Sequence, residues 1–489
     1  PTPMPTSPPT GPDRYVIGTV NVTDIWVDPV HGSDANSGAS RSQALRTVAT
    51  AWGRIPASTT LGKGFRLQLV AGAYPAADLP SYWEHRWGTR QNPVILNAVD
   101  GPHTATLRGD MNVFDARYLY VIGVDIAPGG DAFHCERCSY VLLRFMALSG
   151  AGAAQETIKV NQSDHLYIED SDIAGAYENA IDFVAVQYGH IRGNRIHAAE
   201  DWCAYVKGGS AYLIVSENEI YDCGTGGFTA GQGTGFEFMT SPWLHYEAYG
   251  ISITNNVIHD TEGAGLGVNG GYDILLAYNT LYRVGSRSHA VEFVHGARSC
   301  DGATAACAQR RAAGGWGTTA GGAQYIPDRH VYFYDNVIYN PAGSRTAWSH
   351  FAVAGSVTPP ADSGVAGPSQ ADADLRIVGN IIWNGDASMD LGVGGDAGCA
   401  DTNPTCNAAQ LRADNAINTV EPELQDPAHG DFRPVLGGTV ATRPGAPIPS
   451  FSWSDVPATP AVPAGATDNH VPRNRAGEPR AGWGVPGAY

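Results

Sequence analysis

Short alternating runs of apolar and polar residues recur through the middle of the chain: "HIRGNRIH", "LIVSENEIYD", "ISITNNVIHD", "LLAYNTLY", "YFYDNVIY" and "LRIVGNIIW". A period of two predicts strands. Each run carries an Asn, then one residue, then an aliphatic and an aromatic or His. The asparagines are Asn194, Asn218, Asn256, Asn279, Asn336 and Asn380, separated by 24, 38, 23, 57 and 44 residues. "LYIEDSDI" extends the register upstream, with Ser171 in the Asn place 23 residues before Asn194. A unit of 23–24 residues therefore recurs, and the longer gaps read as one unit plus insertions of about 14, 34 and 21 residues.

A fixed period of this length indicates a solenoid. The Leu-x-x-Leu-x-Leu frame of a leucine-rich repeat is absent. Inward aliphatics with a stackable amide at a tight turn predict an all-β fold, a right-handed parallel β-helix whose Asn side chains bond from rung to rung. "PVILNAV", "LYVIGVDI" and "YVLLRFMAL" supply earlier rungs. From Pro93 to about residue 395 there is room for roughly ten coils, about 48 Å of stacked strand. "SQALRTVATAWGRI" (42–55) has helical apolar spacing and is the expected N-terminal capping helix. Three divisions follow: a Pro/Thr-rich linker and extension at 1–22, the β-helix at 23–440, and a tail at 441–489 that packs on or caps it. Loops inserted at 224–250, 284–330 and 340–374 are expected to stand off the coil and wall a groove.

Sixty glycines and 16% charged residues suit short strands and many turns. A net charge of −18 and a pI near 5.2 argue against a nucleic-acid surface. An anionic substrate would need a local basic patch or a bridging cation. No apolar run approaches the roughly 18 residues of a membrane span. The expected partner is a polysaccharide, bound by a monomeric chain.

The eight cysteines form close pairs, Cys135/Cys138, Cys203/Cys223, Cys300/Cys307 and Cys399/Cys406. "CERC" has zinc-ligand spacing, but no second CxxC or paired histidines accompany it. Local disulfides in an exported protein are the better reading, secreted or periplasmic.

"IWVDPVHGSDANSGASRSQALRTVATAW" resembles the opening of many secreted bacterial β-helix proteins of the pectate-lyase-like superfamily. "EPELQDPAHGDFRPVLGG" and "NRAGEPRAGWGVPGAY" resemble their closing segments. The resemblance runs from about residue 24 to the C-terminus. It bears on fold, and function is argued separately from the residues.

Only three residues of the chain are lysines, Lys63, Lys159 and Lys207, against 27 arginines. Lys can lose its proton where Arg cannot, so a rare Lys is a candidate base. Counted back from the turn column, Lys159, Asp182, Lys207 and His245 fall on one strip of successive coils. Glu178, Glu200 and Glu262 form a second column, with Asp201 beside Glu200. Stacked carboxylates suit a hard cation, so Asp182, Glu200 and Asp201 are the expected ligands of Ca²⁺.

Cation, lysine and groove together suggest a polysaccharide lyase acting by β-elimination on a uronic-acid polymer. Lys207 would remove the C5 proton, and His245 or Tyr246 would protonate the leaving oxygen. Lys159, Trp243, Glu247, His289 and Arg298 would hold the substrate. The set is similar to β-helical lyases of pectate, alginate and dermatan. Glu200 precedes Lys207 by seven residues, as a Glu precedes the catalytic Lys of the alginate/dermatan family. That family's second Glu falls on Trp202, and its Arg falls near Gly231 or Gln232. The Lys-plus-Ca²⁺ arrangement of the family 9 pectate lyases is the nearer analogue.

Rival readings accompany each of these. Lys207 could simply pair with Asp182 or Glu200 on a coil surface, and the acidic column could be a solvated turn edge. Glu237 and Glu247 in "GTGFEFMTSPWLHYEAYG" could be the carboxyl pair of a glycoside hydrolase. His289, Glu292 and His295 could bind a transition metal. His197, Tyr221, His259, Tyr282, Tyr339 and Trp383, each three after its Asn, read as stacked structure or as the sugar platform of a non-catalytic binding protein.

Overall fold

The structure, a computed structural model, describes residues 13–127, 130–319, 323–453, 455, 457 and 468–489. The chain forms two compact units. One comprises the chain up to Asp182 together with Gly189–Ala199; the other comprises Phe183–Tyr188 and Glu200–Tyr489.

In the first unit, Val22–Val27, Gly64–Leu69, Val94–Ala98, Arg117–Ile122, Ser139–Arg144 and Asp164–Glu169 stack in parallel as successive rungs of one face. A neighbouring face stacks Met111–Phe114 and Phe133–Glu136 on the end of the long strand Ala147–Asn161. The predicted capping helix forms over Val48–Gly53, with Thr47 accepting the Thr50 N–H at its start, and it buries Val48, Ala51 and Trp52. Part of the expected linker is docked: Tyr15, Ile17, Val20 and Val22 pack against Ile95, Tyr120 and Leu142, and Arg14 pairs with Asp170. Residues 1–12 of that linker lie outside the described residues.

Each coil of the second unit has three faces. Trp202–Lys207, Gly226–Gly231, Ala264–Asn269, Val291–Val294 and Phe351–Val353 stack on the first. Ser210–Ser216, the broken strand Ala248–Tyr249 and Ser252–Thr254, Gly271–Ala277, Arg329–Tyr334 and Ala373–Val378 stack on the second. Glu219–Cys223, Val257–Thr261, Thr280–Val284, Val337–Asn340 and Ile381–Asn384 make the third. Ala204, Val206, Phe228, Ala230, Leu266, Val268, Val291 and Phe293 of the first face point inward and are fully buried.

The asparagine column is a ladder at the turn between second and third faces. Asn256 Oδ1 accepts both the Asn218 N–H and its side-chain amide, and the pattern repeats through Asn279, Asn336, Asn380 and Asn415. In the first unit Ser171 receives the same treatment, its N–H donating to Asn194 Oδ1 at 3.0 Å. A second ladder, Asn340–Asn384–Asn418, runs along the next turn. Each rung closes an otherwise unpaired buried donor, the condition a tight turn inside a solenoid must meet.

All four expected disulfides are formed. The insertions begin and end differently from expectation. Gly226–Gly231, Val291–Val294 and Phe351–Val353 are rungs that fall inside the three expected loops, so the true excursions are 232–247, 295–328, 341–350 and 354–372. Three of the four leave the coil between its first and second faces. The aromatic column three after each Asn is covered in part: Phe432, Ala488 and Tyr489 pack with Val257, Tyr282 and Tyr339, and Tyr221 stacks on His259 at 4.9 Å. Ile448 and Phe451 likewise cover Tyr332 and Tyr334 on the second face.

Candidate active site

Lys207 is the last residue of its first-face strand, at the edge where the excursion 232–247 will leave one coil later. Strand alternation points Val206 into the core and leaves Tyr205 and Lys207 on the outer side. The Lys207 side-chain nitrogen donates to the Tyr205 hydroxyl and to Gln232 Oε1, both at 3.1 Å, and lies 4.2 Å from the centre of the Tyr205 ring. Among the described residues no carboxylate pairs with it.

The outer side of the same face carries a connected polar strip. Tyr205 is in register with Thr229, Thr229 with Gly267, and Gly267 with Glu292. Thr229 donates to Asn269 Oδ1 at 2.7 Å, and the Asn269 amide donates to Glu292 Oε1 at 3.1 Å. Glu292 Oε2 lies 3.1 Å from His289 Nε2, whose Nδ1 meets the Ser288 hydroxyl at 3.1 Å. Gly267 is what lets this strip converge: a Cβ there would sit 2.9 Å from the Trp202 ring and 3.0 Å from both Glu292 and Thr229. Beyond Glu292 the strip opens into a pocket of about 390 Å³ lined by His289, Val294, Trp348, Ala352 and Asp390. Trp348 is 66% exposed, 6.0 Å from the His289 ring.

The first unit holds the other lysine of interest. Lys159 donates to Glu156 Oε1 at 2.8 Å and to Asp182 Oδ2 at 3.0 Å, and it is in register with His134. Glu156 and Asp182 are each 2% exposed, and each keeps one buried oxygen without a bond. Burial pushes the Glu156 carboxyl up to about 7, although the Lys159 charge opposes it. Burial works against the charge on Lys159, but Asp182 and Glu156 more than reverse this and hold it above the usual lysine range. Lys159 is therefore a locked cation.

Several expected roles do not survive the geometry. His245 is not on the strip: the coil is completed by Gly226–Gly231, and His245 lies in the excursion, donating from Nε2 to the Gly314 carbonyl. Burial depresses its pKa. Tyr246, 2% exposed, and Trp243, 4% exposed, pack with Tyr249 and Tyr272 in a small core beneath the excursion, so neither meets solvent or substrate. Burial also raises the Tyr246 phenol. Glu247 and Arg298 are fully buried and paired, with Arg298 Nε 2.9 Å from Glu247 Oε1. Glu247 also accepts the Gly208 N–H at 3.0 Å and the Thr234 hydroxyl, so it fixes the turn that follows Lys207. Glu237 accepts the N–H groups of Asp301 and Ala303, which ties one excursion to another. The proposed hydrolase pair thus consists of two anchoring carboxylates.

The expected Ca²⁺ ligands fit a cation poorly. Asp182 faces the Lys159 ammonium, whose charge opposes a second cation, and the Glu200 side chain is exposed. Among the described residues, the only groups of three prospective ligand atoms within bonding range are Glu237 with Cys300 and Cys307, and Asp372 with Cys399 and Cys406. Their sulfurs are consumed in disulfides. His289 and Glu292 do meet, but His295 is not part of that contact.

Tyr205, Gln232, Asn269, Trp348 and Glu156 are the groups that sequence reasoning missed. Tyr205 carried a usable signal, since residues two apart on a strand share a face.

A family model described as a right handed beta helix region matches residues 131–301. The fold is the right-handed parallel β-helix. No curated protein matches the chain. Among solved structures the chain is similar to pectate lyase Pel9A, at 12% identity over 90% of this chain and 95% of that one, with a TM-score of 0.47. It is similar to a rhamnogalacturonan lyase at 11% identity, 73% and 87% coverage and TM-score 0.43. It is also similar to the A-module of the mannuronan C-5 epimerase AlgE4 of Azotobacter vinelandii, at 13% identity, 67% and 91% coverage and TM-score 0.40.

Proposed function

We propose that the protein is an exported carbohydrate-active enzyme, a lyase that cleaves a uronic-acid-containing polysaccharide by β-elimination with Lys207 as base. The observation that carries this reading is the setting of Lys207: outward on a rung, beside a polar strip, with only a phenol and an amide as partners. A lysine meant to hold the surface together would have a counter-charge, as Lys159 has. Four disulfides suit an oxidising compartment outside the cytoplasm.

In this reading the Lys207 nitrogen takes the proton at C5, beside the uronate carboxyl. The C5 electron pair forms the C4–C5 double bond as the C4–O bond breaks. The departing oxygen takes the proton that Lys207 has removed, while Tyr205, packed with Trp202 and Ala264, holds the lysine through its hydroxyl, 3.1 Å away. The net transfer is one proton from C5 to the leaving oxygen, so the pair returns to its starting state. Asn269, Glu292 and His289 offer donors and acceptors for sugar hydroxyls, and Trp348 offers a ring for an apolar sugar face. No step passes through a metal ion.

Ultraviolet absorbance of unsaturated uronate products tests this. Pectate, alginate, glycosaminoglycans and bacterial uronate polymers would each be assayed with Ca²⁺ and with chelator. Absorbance should rise on one of them, vanish in Lys207→Ala, and persist with chelator because no step of this scheme uses a metal ion. Full activity in Lys207→Ala would remove the base from the scheme. Reducing ends without absorbance would mean hydrolysis instead.

A further inference from the structure

A second cleft lies on the second face of the second unit, and the 390–406 loop divides it from the pocket beside Trp348. It has a volume of about 600 Å³ and is lined by Trp453, Arg376, Asp374, Gln370, Thr402 and Asn403, among others. Both walls are pinned. One is the loop closed by the Cys399–Cys406 disulfide, held to the coil where Asp372 accepts the Cys399 N–H at 2.7 Å and the Asn403 amide at 3.0 Å. The other is the C-terminal segment. There the Trp453 ring lies flat on His330, 4.2 Å between centres and 4° from parallel. His330 is itself held between Asp374 and Asp455, and Arg329 also pairs with Asp455.

This leaves Trp453 with one face stacked and 40% of its surface exposed. Beside it, Arg376 is 31% exposed on its side chain, gives its Nε–H to Asp374 at 2.7 Å, hydrogen-bonds the Tyr334 side chain and lies over the Tyr332 ring. A guanidinium has five donors, so others remain for a ligand. Gln370 and Thr402 are exposed at the rim. A rigid indole face edged by guanidinium, amide and hydroxyl groups matches a pyranose ring, which is apolar on its faces and polar around its edge.

Charge narrows the class. Asp372, Asp374 and Asp455 stand against Arg376 and Arg329, with His330 between two of the carboxylates. Among the described residues no surplus positive charge lines the cleft to receive a carboxylate. We propose that this cleft is a binding site for a neutral pyranose, separate from the site of bond cleavage. It holds a glycan against the second face while the first face acts, and it does not rest on Lys207 being a base.

The test is saturation-transfer NMR titration with methyl glycosides of glucose, galactose, mannose, xylose and rhamnose, with methyl glucuronoside as the charged comparison. Wild type should bind at least one neutral glycoside saturably, and any glucuronoside binding should be unchanged in Trp453→Ala, because it belongs to the first face. Trp453→Ala should weaken that binding at least about tenfold, and Trp453→Phe should keep most of it. Arg376→Gln should also weaken it, and this variant leaves the C-terminal segment stacked as before. Lys207→Ala should bind like wild type even where it has lost all activity. No saturable binding of any neutral glycoside, unchanged binding in both Trp453→Ala and Arg376→Gln, or a glucuronoside bound more tightly than the neutral glycosides and lost in Trp453→Ala would each overturn the proposal.

Discussion

Two lysines on outward strand positions have opposite settings. Lys159, in the first unit, sits between two nearly buried carboxylates that keep it charged. Lys207, in the second, is offered a phenol and an amide. Position in the repeat is therefore a poor guide to role, and the partners decide it. A charge-paired lysine holds its proton and stiffens the coil. A lysine with neutral partners on an accessible edge is chemically available.

The same substitution at both positions separates the two roles. Lys207→Met should lower elimination activity about 100- to 10,000-fold, the range for losing a general base, while the denaturation midpoint stays near wild type. Comparable activity in the variant would erase the distinction. Arg298→Met marks the opposite extreme, because it leaves Glu247 charged and fully buried. It should cost about 3–5 kcal/mol in urea unfolding. Lys159→Met leaves two carboxylates unpaired but near a side chain that was already 24% exposed, so about 3 kcal/mol is expected. If Lys159→Met were instead as stable as wild type and inactive, Lys159 would be the catalytic lysine and the assignment would be reversed.

The ladder was legible because a buried turn amide has few substitutes: Asn256, Asn279, Asn336 and Asn380 appear at the right places with little else allowed. The disulfides were legible from spacing. The insertion boundaries were not, because "GGFTAG" reads as a turn when it is a rung. At Gly231 the backbone takes φ +87°, and a Cβ would lie 2.1 Å from the Asn269 carbonyl oxygen, so glycine is required inside the stack. Misplacing that rung moved His245 onto a strip where it does not belong. Trp243, Tyr246, Glu247 and Arg298 misled for a second reason. A long excursion needs its own core and its own charge pairs, so aromatic and charged residues gather there without touching a ligand. Composition cannot separate an excursion's core from a sugar subsite; only burial does.

The finest test of the lysine comparison is the ionisation of Glu156. Its carboxyl is pushed from 4.5 up to about 7 by burial, against the pull of Lys159. Between those values the folded protein holds a proton that the unfolded chain releases, so this group's contribution to stability falls as pH rises from about 4.5 to about 7. Burial depresses the neighbouring His134, which acts with the opposite sign below its ordinary 6.5. Asp273 and Asp335, also near 7, belong to the second unit and share the sign of Glu156. Glu156→Gln removes one of these contributions and leaves the others. Urea unfolding of wild type and variant across this range should therefore show a shallower decline of stability with pH in the variant. Identical slopes would mean that Glu156 is already ionised in the fold. Lys159 would then be clamped by two full negative charges, and its contrast with Lys207 would be sharper still.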